Sequence, residues 1–308
     1  MERKIISTYQ AEKRKHWVNE ISRLSGNFGI DAEKVENKVN AEIKKDGLEA
    51  LLGHLRLCGA IPEKYTRDSS EEKLYSKYTD VVISEAYSAI GFNSFVLKER
   101  ADAADVECVS DAYSFVADAK AFRLSRTAKN QKDFKVQAMD GWKYGKPYAM
   151  VVCPVYQLPS RTSQIYQQAG TRSVCIWTYT HLAVLARYAK KTSQTEAINL
   201  LHKLFKSVDA LHPSKDAILY WQTLNQRMLD FDELIREFWL EEKSATLEAI
   251  QISQNEALTF LATERERILK LSKDEAIQEV LKASKIDTKI RKVKSVTDNG
   301  LLETGKIQ

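Results

Sequence analysis

FVADAKAFRLSRTAKNQKDFK, residues 115–135, carries an apolar strand into an acid-x-base triplet and then into a basic segment. Phe115, Val116 and Ala117 read as a short buried strand. Asp118-Ala119-Lys120 interrupts it with two charges that a strand core does not bury without a reason. Side chains alternate along a strand, so Asp118 and Lys120 share one face and Ala119 takes the other. A carboxylate beside an ammonium at a strand end can hold a divalent cation and order a water next to a phosphate. From Lys120 to Lys135, six basic residues (Lys120, Arg123, Arg126, Lys129, Lys132, Lys135) stand against one acid, Asp133. Ser125, Thr127, Asn130 and Gln131 lie between them, a mixture suited to a phosphate backbone and base edges together.

Around this stretch the hydrophobic period is that of strands. Residues 106–109 form one, 113–119 a second and 148–153 a third, the last bounded by Pro147 and Pro154; 173–177 form a fourth. Helices are predicted over about 129–144, 160–168 and 180–189. Strands alternating with helices imply a mixed sheet flanked by helices, an α/β fold. Asp105 precedes the first strand, and two carboxylates from adjacent strands can share one magnesium ion. Glu99 is a third acid near that strand, although between Lys98 and Arg100 it reads more readily as an exposed helix-end glutamate.

Both ends of the chain read as helical. Trp17, Ile21 and Leu24 share a face; Asp31 is the expected N-cap of a helix carrying Val35, Val39 and Ile43, with Gly47 as its stop. A short apolar helix follows over 48–57. Ser69 with Glu72 opens another, whose stripe is Leu74, Tyr78, Val81, Val82, Ala86 and Ile90, and Gly91 closes it. After Pro213 the pattern is almost wholly helical, and Ser272 with Glu275 announces a last capped helix. Residues 291–308 read as loosely ordered. No internal repeat or low-complexity linker is present. A single domain over 1–308 is expected, with a helical part (1–92), an α/β core (93–190) and a mainly helical part (191–308).

With 308 residues, 44% hydrophobic and 29% charged, the chain has the composition of a globular protein. No stretch of about 18 apolar residues exists, and MERKIISTYQAEKRKHW is too polar for a signal peptide, so a cytoplasmic protein without membrane contact is expected. Cys58, Cys108, Cys153 and Cys175 are isolated and read as buried thiols. The five histidines show no close pairing, which argues against zinc. A net charge of +5 permits nucleic-acid binding without establishing it. Nothing resembles GxSxG, a Walker loop or GxGxxG, which leaves serine hydrolases, P-loop enzymes and dinucleotide dehydrogenases without support.

Acid-x-Lys triplets are common in so charged a chain. Glu42-Ile43-Lys44, Glu71-Glu72-Lys73, Asp133-Phe134-Lys135, Glu241-Glu242-Lys243 and Asp287-Thr288-Lys289 all qualify, but each sits in a helical or terminal pattern where a solvated face explains it. Asp118 to Lys120 differs because an apolar strand leads into it and Asp105 precedes the neighbouring strand. The triplet alone reads equally as a surface salt bridge.

Residues 116–139, VADAKAFRLSRTAKNQKDFKVQAM, resemble the central block of the HindIII restriction endonuclease family nearly residue for residue. Weaker likeness extends through EEKLYSKYTDVVISEAY (71–87) and Glu99, and forward through 177–185 and 272–280; the first 60 residues carry little of it. The resemblance implies a PD-(D/E)xK nuclease core with extensive N- and C-terminal helical additions. It implies a Type II restriction enzyme, a homodimer that cuts both strands of the palindrome AAGCTT after the first A, leaving 5′ overhangs and 5′ phosphates. Double-stranded DNA would be the substrate, Mg2+ the cofactor with Mn2+ substituting, and a protective DNA methyltransferase the functional partner.

Carried onto this chain, the family's acids become Asp105 and Asp118 and its lysine Lys120, with Ala104 where the family has proline. Asp105, Asp118 and the Ala119 carbonyl would bind metal, Lys120 would position and help deprotonate the water, and Glu99 would be auxiliary. DNA contacts are expected among Arg123, Ser125, Arg126, Lys129, Asn130, Lys132, Asp133 and Lys135. Two rivals stay open: a structure-selective nickase or repair nuclease, and a non-catalytic DNA-binding protein in which Asp118 and Lys120 only pair with each other.

Overall fold

Two helices prepare the ground for the sheet. In the computed structural model, which describes residues 4–23, 25–98, 103–126 and 133–295, α1 runs over Thr8–Ile21 and α2 over Phe28–Leu57. Asn27 caps α2, not Asp31 as expected. The Asp31 carboxylate instead accepts from the Ser25 N–H at 3.0 and 3.1 Å, tying the preceding loop to the first turn. Gly47, at φ 66°, breaks α2 where a stop was expected, since a left-handed residue cannot continue a right-handed helix. The next helix, α3 (Ser70–Ile90), has both predicted ends: the Ser69 hydroxyl accepts from the Glu72 N–H, and Gly91 at φ 119° closes it.

Five strands follow in spatial order β1-β2-β3-β4-β5: Asn93–Val96, Val106–Val109, Ser114–Ala119, Tyr148–Cys153 and Val174–Thr178. The first two pairings are antiparallel and the last two parallel, so β3 has an antiparallel neighbour on one side and a parallel one on the other. The mixed sheet flanked by helices is thus as the element order implied. β1 was not predicted; it is four residues long, two of them polar, with an exposed, half-buried alternation. Strands β3, β4 and β5 are buried almost throughout, as strands covered on both faces must be.

The helix expected over 129–144 is shorter. Residues 127–132 lie outside the described set, and beyond them only Val136–Gly141 (α4) is helical. Lys135 adopts φ 49° and Phe134 is sealed against Phe122. Helix α5 spans Gln164–Thr171, α6 Tyr179–Lys191, and α7 Gln194–Asp209, the last within the part expected to be mainly helical. α8 covers Ala217–Leu229 and α9 Glu233–Leu269. All four cysteines are buried free thiols. No helix among the described residues is long and apolar enough to cross a membrane.

The chain divides into two compact units, Met1–Ala257 and Leu258–Gln308. The first contains one continuous core from Trp17 and Ile21 through the sheet to Phe238. Glu242, 1% exposed, ties its ends together: its oxygens accept two bonds from Arg56 at 2.7 and 2.9 Å and one from Arg187 at 2.9 Å. The second unit carries α10 (Lys273–Ala283) and α11 (Ile286–Lys294), with the expected reciprocal cap between Ser272 and Glu275.

The N-terminal helices grip the chain as it leaves β3. Phe122 N–H donates to the Gly59 carbonyl at 3.0 Å, and Ile61 N–H donates back to the Phe122 carbonyl at 3.1 Å. Arg14 on α1 donates to the Ala60 carbonyl at 2.8 Å, and Tyr75 on α3 donates to the Cys58 carbonyl at 2.9 Å. A Cβ at Gly59 would meet the Pro154 side chain at 2.8 Å. Gly59→Ala should therefore destabilise the protein by about 1–3 kcal/mol through overpacking. Denaturant unfolding measures this, and an unchanged midpoint would show that this contact is slack.

Candidate active site

Register decides which residues meet. Val106 pairs with Ala117 in the antiparallel ladder, so the next pair outward sets Asp105 opposite Asp118. The Asp105 carbonyl accepts from Leu97 N–H at 2.8 Å, fixing that backbone on its other side. Lys120 follows β3, with its N–H on the Val152 carbonyl at 2.7 Å and its own carbonyl accepting from the Tyr179 hydroxyl at 3.0 Å. Its ammonium is paired with Asp118. The three sequence-singled residues therefore stand together, and their setting is not a surface salt bridge. The Asp118 side chain is 1% exposed and that of Lys120 13%.

A third carboxylate, which the sequence reading missed, completes the group. Asp80 on α3 lies with Asp105 and Asp118 so that one oxygen of each falls within 4.8 Å of the others. Its position follows from helical spacing. Ile83 and Tyr87 lie three and seven residues on, on one face, and Tyr87 packs edge-on against Phe115 of β3. The stripe that docks α3 on the sheet thus carries Asp80 to the strand ends. An acid within the buried run Thr79-Asp80-Val81-Val82-Ile83 was the available signal.

Burial dominates the electrostatics. It pushes the Asp118 carboxyl up to about 6, opposed by Lys120 and aided by its hydrogen bond to Asp105. Asp80 is raised well above the ordinary carboxyl range, first by burial and then by the Asp105 charge. Asp105 goes the other way. Burial raises it, but the bond from Asp118 and the charges of Lys77 and Lys120 outweigh that and hold it low. Burial alone would lower Lys120, yet the Asp118 carboxylate and the other acids raise it, so it is an ammonium at neutral pH. Three oxygen donors of this kind suit a hard divalent ion such as Mg2+, which would also relieve their mutual repulsion.

The expected DNA-contact residues fall into two sets. Arg123 donates to the Tyr65 carbonyl at 2.7 Å and pairs with Glu72 at 3.3 Å; Ser125 donates to Glu63 at 2.8 Å; Arg126 pairs with Asp133 at 2.7 Å. These four are engaged within the protein. Lys135 is exposed, over the Trp142 ring. Lys129, Asn130 and Lys132 lie outside the described residues, as does Glu99.

Comparison with known proteins gives the same direction. The HindIII restriction endonuclease family matches residues 15–297, which takes in helices where the sequence alone revealed little likeness. The Type II restriction enzyme HindIII of Haemophilus influenzae is 32% identical over 307 residues, covering 87% of this chain and 95% of that protein.

The raised Asp80 carboxyl has a consequence for stability. A carboxyl whose folded value exceeds its unfolded value, about 3.9, contributes its stability below that pH and loses it as pH rises through the folded value. Without metal, Asp80→Asn should therefore raise Tm, by an amount that grows from pH 5 to pH 8. Thermal scans in EDTA test this; a lower Tm at pH 8 contradicts the reading of Asp80 as a strained charge.

Proposed function

This chain belongs to the HindIII restriction endonuclease family and is a Type II site-specific deoxyribonuclease acting on DNA, and from that premise we propose how it cuts. It makes magnesium-dependent double-strand cuts in the palindrome AAGCTT after the first A, leaving 5′ overhangs and 5′ phosphates. The supporting observation is the convergence of Asp80, Asp105 and Asp118 with Lys120 at one end of the β2–β3 pair.

Asp80, Asp105, Asp118 and the Ala119 carbonyl hold Mg2+, with Mn2+ able to replace it. When bound, the ion supplies Lewis-acid stabilisation of the charge building on the phosphate and the leaving 3′ oxygen. Kept as an ammonium by Asp118, Lys120 donates to a phosphate oxygen and holds the phosphorus in line with the attacking water, so the water's proton passes to solvent rather than to Lys120 and the leaving 3′ oxygen takes a proton from solvent. Asp105 is the most exposed of the three acids and faces the incoming duplex. Arg123, Ser125, Arg126, Lys129, Asn130, Lys132, Asp133 and Lys135 lie on the segment that follows, and those now tied to Glu63, Glu72 and Tyr65 exchange these partners for DNA.

A two-fold palindrome calls for a two-fold protein, with one such site for each strand. α9 offers a surface for it. Leu240, Ser244, Leu247, Gln251 and Gln254 follow one another at alternating spacings of four and three, all exposed and none charged. Leu240 and Leu247 are 66% and 65% exposed. Paired antiparallel about Leu247, this seam meets a second copy of itself without like-charge repulsion. In the cell the enzyme is cytoplasmic, works beside a methyltransferase that protects the same site, and touches no membrane.

Plasmid incubated with Mg2+ should give discrete fragments whose ligated ends read AAGCTT; nicks alone, or retarded but intact DNA, overturn the proposal. Asp118→Asn should lower cleavage by about 10³-fold or more while leaving DNA affinity largely unchanged. Cutting at the normal rate removes Asp118 from the metal site. Leu247→Glu should convert a dimer to a monomer in sedimentation; a dimer that survives it places the interface elsewhere.

A further inference from the structure

The acid cluster holds a second lysine that the cutting reaction described above does not use. Lys77 lies on α3 one turn before Asp80. Its Nζ stands 3.2 Å from Asp105 Oδ1 and 3.8 Å from Asp80 Oδ2. Side-chain exposure ranks the five charged groups: Asp118 1%, Asp80 4%, Lys120 13%, Lys77 22% and Asp105 29%. Solvent therefore reaches the cluster on the side of Asp105 and Lys77. The two lysines are not equivalent. Lys120 is paired with the sealed Asp118, whereas Lys77 is the more exposed of the two, is paired with Asp105, the most exposed acid, and can extend its four-carbon stem toward solvent.

A divalent ion needs Asp105 and Asp80 together, and these are the two carboxylates that Lys77 now spans. Ammonium and ion cannot share them closely, because two positive charges about 4 Å apart repel strongly in a partly desolvated site. We propose that Lys77 is the built-in counter-cation of the cluster. It neutralises Asp105 and Asp80 in the metal-free protein, and it must give up Asp105 before the ion can bind. The released ammonium then has a natural acceptor in the phosphate of a bound duplex. Metal loading is weak without DNA and favoured with it. This rests on the assignment of the three acids as the metal site.

The test uses the full-length protein without DNA, Mn2+ alone as the probe, and binding read by electron paramagnetic resonance. Lys77→Met keeps the aliphatic stem and removes the charge. It should tighten Mn2+ binding by about tenfold or more and at the same time lower Tm in EDTA, because the acids lose their counter-charge. Lys77→Arg should restore the Tm and keep binding weak, which also separates a charge effect from a packing defect. A merely structural lysine would lower Tm and weaken or leave unchanged the metal affinity; that result overturns the proposal. Asp118→Asn in the same assay guards the premise. If it leaves Mn2+ binding unaltered, both the metal site and the role of Lys77 fall, whereas failure of the Lys77 arm alone leaves the site standing.

Discussion

Three carboxylates drawn within 4.8 Å of one another, two of them almost wholly sealed from water, set the terms for this fold. They would relax by moving apart, and Asp80 and Asp118 also by reaching solvent, and the surrounding structure opposes this. Asp105 is set opposite Asp118 by a strand ladder, and Asp80 is set by the helix stripe that packs on the same sheet. Like charges so placed are tolerable only with protons, lysines or a cation between them. The raised Asp118 and Asp80, the depressed Asp105 and the two lysines beside them all reflect that constraint.

The rest of the first unit can be understood as the frame that keeps the strand ends from yielding. β3 is antiparallel to β2 and parallel to β4, so its end is bonded on both sides. Beyond it, Phe122 is laced to Gly59 and Ile61, and that lace is held by Arg14 and Tyr75 from two helices. The helices preceding the sheet thus do more than cover a core. They fix the exit of the strand carrying Asp118 and Lys120, and with it the start of the basic segment. Glu242 does the same at longer range, joining α2, α6 and α9 through Arg56 and Arg187.

The engaged state of the basic segment has its own logic. Arg123, Ser125 and Arg126 meet Glu72, Glu63 and Asp133. Carboxylates of this kind hold a cationic loop in place when no phosphate is near.

Features that depend on a few neighbouring residues were legible in the sequence. Helix ends at Ser69, Gly91 and Ser272 rest on caps within four residues, and the alternation of β3 alone puts Asp118 and Lys120 on one side. The likeness of residues 116–139 to a known nuclease family belongs with these, being local and dense in charged residues. What only the folded chain decided was long-range. Asp80 reads in sequence as a charge beside an apolar stripe, and becomes a member of the site because α3 docks against β3. β1 is short and half polar, and pairs along its whole length with β2; Asn27 rather than Asp31 caps α2, and Asp31 is bound to the preceding loop. Lys77 looks like any solvated lysine until tertiary packing sets Asp105 beside it. Periodicity and capping are settled by energies acting within one or two turns, whereas the company a buried charge keeps is settled by which surfaces pack, and that is a property of the whole chain.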